Sequence, residues 1–259
     1  MLVLISPAKK LDFEHPAPIE ISARPPLLDK AKELAEILKT KNRSELKSLM
    51  NISDNLADLN YKRYQNFSTP FDMSNAKQAI LTFQGDTYKG LNADTLDQDD
   101  LEYAQRHLRI LSGLYGILRP LDLMQPYRLE MGTKLPNPKG EDLYDFWTQT
   151  LTKQCNQDIA NENERAVINL ASQEYISSID KKSLNAPFIT CHFKDVKKGK
   201  ARVIGLLAKR ARGMMARYII RNRLQDPHKL KDFDEGGYKF TADQSTDSDL
   251  VFIRPEEHE

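Results

Sequence analysis

The longest uninterrupted apolar runs of this chain, residues 1–5 and 203–208, have the length of buried strands and fall far short of a membrane span. Strand-like runs recur at 79–83, 166–170, 188–193 and 201–207, and residues 238–242 and 250–254 offer a last strand pair across a polar loop. Between them lie stretches with helical spacing. Leu27, Leu28, Ala31, Leu34, Ala35 and Leu38 mark one helix, and 44–50 and 54–64 mark two short ones with Ser44 and Ser53 as caps. Over 97–111, acidic residues crowd the first turn and Leu101, Ala104, Leu108 and Leu111 form an apolar stripe that Gly113 terminates. Gly85 and Gly90 read as tight turns, and 142–157 and 210–224 as further helices. Pro120, Pro126, Pro136 and Pro138 make 119–140 an extended connection. Helices and strands alternate irregularly and no linker composition interrupts the 259 residues. The expected fold is α+β, a single compact mixed α/β domain over 1–259.

With 38 Lys and Arg against 37 Asp and Glu, the net charge of +1 excludes an acidic disordered chain and a uniformly basic nucleic-acid binder. Any electrostatic function has to come from local asymmetry, and the sequence has one. Residues 194–223 carry eleven Lys and Arg against the single acid Asp195, whereas the 36 residues that follow carry ten acids and four bases. On a helical wheel Arg210, Arg217 and Arg221 share one side, apart from Ala211, Met215, Tyr218 and Ile219. This stripe reads either as a solvated face paired with the acidic C-terminal segment or as a phosphate-binding track, because guanidinium forks suit phosphate oxygens. The N-terminal apolar stretch is too short for a secretory signal, and Cys155 and Cys191 form no CxxC pattern, so a reducing, cytoplasmic setting is expected.

The segment Ser112, Gly113, Leu114, Tyr115 and Gly116 follows the 97–111 helix and resembles the hairpin of helix-hairpin-helix DNA-binding motifs. Two glycines there expose backbone N–H groups to a phosphate, with Arg119 and Arg128 just downstream. Two departures are visible: Ser112 stands where the motif has proline, and Pro120 restricts the second helix. The element is placed at about 97–125.

Several blocks extend the likeness over most of the chain: SPAKKLDF at 6–13, FQGDTYKGL at 83–91, LSGLYGILRPLDLMQPYRLEMG at 111–132, NLASQEY at 169–175 and AKRARGMMARYII at 208–220. Together they resemble the YaaA family of peroxide stress resistance proteins. The resemblance implies a compact mixed α/β fold, survival of hydrogen peroxide, limitation of free intracellular iron and of iron-driven damage, and DNA binding through a helix-hairpin-helix beside a positive cleft. The expected partner is therefore double-stranded or structured DNA, bound by a monomer without sequence preference. Lys9, Lys10, Arg119, Arg128, Lys209, Arg210, Arg212, Arg217 and Arg221 would supply the cationic contacts, and residues 112–116 the backbone donors.

The alternative is an enzyme acting on a nucleotide or damaged nucleic acid near Lys9, Glu174 and Tyr175. No nucleophile–base pair is identifiable, and Ile117, Leu118 and Arg119 stand where a glycosylase of the helix-hairpin-helix type carries its lysine. The five histidines lack HxxxH or HExxH spacing, Cys191 reads as a packed core residue, and Asp243, Asp247 and Asp249 read as a solvated loop. No metal and no cofactor are assigned.

Overall fold

The computed structural model describes residues 1–160, 162 and 164–256. Along the chain, β1 (Leu2–Ile5) and β2 (Lys10–Leu11) precede three helices, α1 (Leu28–Lys39), α2 (Arg43–Met50) and α3 (Asp54–Asn66). There follow β3 (Lys77–Gln78), α4 (Ala79–Thr82), β4 (Phe83–Gln84), α5 (Asp86–Leu91), α6 (Gln98–His107), β5 (Leu108–Ser112), β6 (Gly116–Leu118) and β7 (Leu123–Met124). The second half runs through α7 (Leu143–Ile159), β8 (Val167–Leu170), α8 (Gln173–Ile176), β9 (Phe188–Lys197), β10 (Lys200–Arg202), α9 (Gly205–Arg221), β11 (Lys239–Phe240) and β12 (Asp249–Arg254).

The main sheet has the order β11-β12-β9-β8-β1-β5-β6, with β10 attached to β9. Its five inner strands are all parallel. That explains why β1 and β8 are apolar and buried from end to end instead of alternating: both faces are covered by helices. Numbered by appearance, the parallel strands lie in the order 2-1-3-4-5, that of a doubly wound sheet, and the order reverses between β1 and β8. A crevice opens beyond the carboxyl ends of strands at such a reversal. The single mixed domain read from the sequence is thus observed, with a parallel centre.

Local differences from the sequence reading have identifiable causes. The 97–111 helix stops at His107, because Leu108, Arg109 and Ile110 pair with Val3, Leu4 and Ile5. Leu108 and Leu111 suit a helical stripe and a buried strand equally, and sheet pairing decides. Residues 79–82 form one helical turn, and only Phe83 and Gln84 of that region are extended. The strand expected over 201–207 ends at Arg202, so α9 starts at Gly205, earlier than residue 210. Asn42, in a reciprocal capping box with Glu45, caps α2 in place of Ser44, whereas Ser53 caps α3 as read. The C-terminal pair forms, with Lys239 opposite Ile253 and Phe240 opposite Phe252.

Residues 97–125 do not form a helix-hairpin-helix. Ser112 pairs with Gly116 in a β-hairpin between β5 and β6 at the sheet edge, and all five residues from 112 to 116 are buried. Their polar groups face inward: Ser112 Oγ accepts from Tyr115 N at 3.0 Å and meets the Tyr127 hydroxyl at 2.6 Å, while the Gly113 carbonyl accepts from Trp147 Nε1 at 2.9 Å. The glycines permit tight packing, not an exposed phosphate clasp. Gly90 also differs from its expected role. With Gly213 it lets α5 and α9 cross in backbone contact, since a Cβ at Gly213 would lie 1.8 Å from the Thr87 carbonyl oxygen.

Candidate functional site

A cleft of about 430 Å³ lies beyond the carboxyl ends of β1 and β8, at the reversal of strand order. Ser6, Pro7, Ala8 and Lys9 enter it from the loop after β1, and Lys10 from β2. The turn from β4 into α5 brings Asp86 and Tyr88, the 127–130 segment brings Tyr127, Arg128 and Glu130, and the end of β8 brings Ser172, Glu174 and Tyr175. The close α5–α9 crossing holds Lys209 and Arg212 over the same space.

The lysine-bearing loop is fixed at several points. Ser172 N donates to Ser6 Oγ at 2.8 Å, and the Tyr88 hydroxyl donates to the Ser6 carbonyl at 3.1 Å. Lys77, buried, donates to the carbonyls of Asp12 at 3.0 Å and His15 at 2.8 Å. Burial pushes the Asp12 carboxyl up, but hydrogen bonds from His15 and Glu14 and the charge of Lys77 outweigh it and hold the pKa at about 2.

Five cations, Lys9, Lys10, Arg128, Lys209 and Arg212, line the cleft against three carboxylates, Asp86, Glu130 and Glu174. Glu130 pairs with both Lys9 at 2.8 Å and Arg128 at 3.2 Å. Glu174 Oε1 accepts from Gly132 N at 3.1 Å. Lys10, Lys209 and Arg212 have no ion pair among the described residues. The cleft therefore presents surplus positive charge to solvent, which favours an anionic guest.

The other expected cations point elsewhere. Arg119 forks onto Asp122 and donates to the Arg24 carbonyl at 2.8 Å, so it closes a turn. Arg217 donates to the carbonyls of Leu91 at 3.2 Å and Asn92 at 3.0 Å, satisfying the end of α5. Arg221 pairs with the buried Asp100 at 2.9 Å, joined there by Arg223. Arg210 is exposed and lies outside the cleft lining. Arg217 and Arg221 of the stripe thus serve α5 and α6, while Lys209 and Arg212, three residues apart on α9, reach the cleft.

Two groups of residues join the site only through the fold, although the turn at 197–200 between two strands is plain in the sequence. Ser6, Ser172, Tyr88 and Tyr127 become visible only once the strand order places the ends of β1 and β8 side by side. The second group is the β9–β10 hairpin. Asn169 of β8 sits opposite Thr190 of β9, yet β8 ends at Leu170 while β9 continues to Lys197. β9 stays in the sheet beside β12 up to the buried Asp195, and at about 3.3 Å per residue the turn beyond it stands roughly 20 Å along the strand from the level of Leu170. Lys198 and Gly199, with φ of 53° and 70°, make its two-residue turn, and Lys197, Lys198, Lys200 and Arg202 charge it. Val203 and Leu206, 57% and 59% exposed, connect it to the Lys209 turn of α9.

Burial pushes the hydroxyls of Tyr88, Tyr127 and Tyr175 well above their ordinary range, so these phenols are neutral donors and Tyr175 is no general base. Lys9, ion-paired and 62% exposed, is not a desolvated amine nucleophile. Cys191 and Cys155 are buried, and burial pushes both thiols up to about 12, so neither offers a thiolate. Among the described residues, no three His, Cys, Asp or Glu side chains form a group able to hold a metal ion, and no helix is long and apolar enough to cross a membrane. The arrangement gathers cations in surplus over carboxylates, bordered by three buried tyrosines.

Comparison with known proteins gives consistent results. A family model described as peroxide stress protein YaaA matches residues 1–244. A UPF0246 protein of Alteromonas mediterranea is 51% identical over 259 residues, covering 100% of both chains. A UPF0246 protein of Hahella chejuensis is 51% identical over 254 residues, covering 98% of this chain and 99% of the relative.

Proposed function

The chain belongs to the YaaA family of peroxide stress proteins, and on that premise we propose that it binds duplex or structured DNA by the backbone phosphates, along the carboxyl edge of its sheet. The observation that carries the reading is the convergence of Lys9, Lys10, Arg128, Lys209 and Arg212 on one cleft beside a hairpin bearing four more cations. Such contacts position a duplex without reading bases, so the binding is independent of sequence. They also suggest how binding protects. Neutralising phosphates releases the cations condensed on DNA, and ferrous iron released with them generates its radicals away from the sugars and bases. Limitation of free iron belongs to this reading as an indirect effect, and the protein acts as a cytoplasmic monomer.

Fluorescence anisotropy with a labelled duplex across a salt series tests the proposal. Affinity falls log-linearly with salt, with a slope of about 0.9 per phosphate contacted, and two duplexes of unrelated sequence give the same line. Lys10→Glu with Lys209→Glu lowers the slope by about two and weakens binding at low salt by at least roughly tenfold. A double variant with the wild-type slope would remove the cleft from the interface.

A further inference from the structure

A duplex, whose major groove alone is about 12 Å wide, meets the exposed Lys9, Lys10 and Lys209 at the rim of a cleft of about 430 Å³ but cannot enter it. That volume falls instead within the roughly 300–1,000 Å³ of pockets that enclose small molecules. Among the described residues, its wall carries two guanidinium groups, one shared with a carboxylate and one without. Arg128 is held by Glu130 through Nη2, yet its Nε is buried without a hydrogen-bond partner. Arg212 is partly buried on α9 and has no carboxylate partner among the described residues; burial pulls its pKa down. Arg212, withdrawn from water without a counter-charge, is costly there, and a bound oxyanion relieves that cost. Tyr88, Tyr127 and Tyr175, buried but for less than a tenth of their surface, border the same space and leave a narrow aromatic margin for a base.

We propose that the cleft seats a single nucleotide unit, with its phosphate on Arg128 and Arg212 and its base against the tyrosine wall. The guest is a phosphomonoester of a nucleoside, supplied either free or as the phosphorylated end of a DNA strand. Only the second source rests on the DNA-binding reading above. There the β9–β10 hairpin and Lys209 hold the flanking phosphates while the terminal unit occupies the cleft.

Isothermal titration calorimetry with dAMP, deoxyadenosine and inorganic phosphate tests the seat on the unmodified protein. Binding of dAMP at least roughly tenfold tighter than either fragment is expected, since phosphate and base contacts both contribute. Arg212→Gln abolishes the advantage over deoxyadenosine, Arg212→Lys restores part of it, and Arg210→Gln leaves it unchanged. A 5′-phosphorylated oligonucleotide that competes with dAMP better than its 5′-hydroxyl form identifies a strand end as the source; failure of both to compete identifies the free nucleotide. Equal affinity for dAMP and deoxyadenosine, or for dAMP and inorganic phosphate, overturns the proposal. Salt-dependent duplex binding without dAMP binding overturns the seat and leaves the DNA reading intact, whereas dAMP binding without duplex binding does the reverse.

Discussion

Replacing Gly113 and Gly116 together by alanine lowers the stability of the protein by about 4 kcal/mol or more. At Gly113 a Cβ would stand 2.2 Å from the Leu129 carbonyl oxygen, a backbone atom that cannot swing aside. At Gly116, whose φ is +68°, it would meet the Trp147 ring at 2.6 Å in a conformation that side chains rarely adopt. Trp147 is fully buried and donates to the Gly113 carbonyl, so both substitutions strain the same hairpin and their effects do not add simply. The loss appears as a lower denaturation midpoint, and DNA binding by the remaining folded fraction is unchanged. An unaltered midpoint with weakened DNA binding would instead make the hairpin a phosphate clasp.

Arg119→Ala costs about 3 kcal/mol, because it leaves a buried carboxylate without its counter-charge. Asp122 is 0% exposed and receives Arg119 N at 2.7 Å, Nε at 3.0 Å and Nη2 at 2.8 Å. Burial raises its pKa above the ordinary value even with the guanidinium in place. A carboxyl whose folded pKa is raised contributes stability below its unfolded pKa and loses it as pH rises through the folded value. Removing Arg119 raises that folded pKa further, so the variant's deficit is smallest near pH 4 and grows toward pH 7. Urea denaturation of both proteins at the two pH values measures this. A deficit independent of pH would mean that lost packing, not the uncompensated charge, sets the cost.

The general architecture was legible because burial writes itself into strands such as β1 and β8 and into the stripe of α1. The basic surplus of 194–223 was equally plain, but the partition of its arginines was not. A helical wheel groups Arg217 with Arg221 and is blind to the carbonyls of Leu91 and Asn92 or to Asp100, which claim them across sequence separations above 100 residues. Lys9, Arg128 and Arg212 converge for a reason of the same kind, since only the 2-1-3-4-5 strand order brings the ends of β1 and β8 together. The glycine pair misled for a different reason. A Gly-x-x-Gly spacing signals a close backbone approach, and the approaching group is Trp147 and the Leu129 carbonyl rather than a phosphate.

The central claim, that cations at the carboxyl edge of the sheet grip DNA phosphates, is tested most directly by reductive methylation of lysines read by mass spectrometry, with and without a saturating duplex. Lys9 and Lys62 make a matched pair, with side chains 62% and 63% exposed and each in a single surface ion pair. The bound duplex is expected to protect Lys9, Lys10 and Lys209 while Lys62 on α3 remains as reactive as in the free protein. Lys9, Lys10 and Lys209 modified at undiminished rates in the bound state, with protection elsewhere, would contradict it.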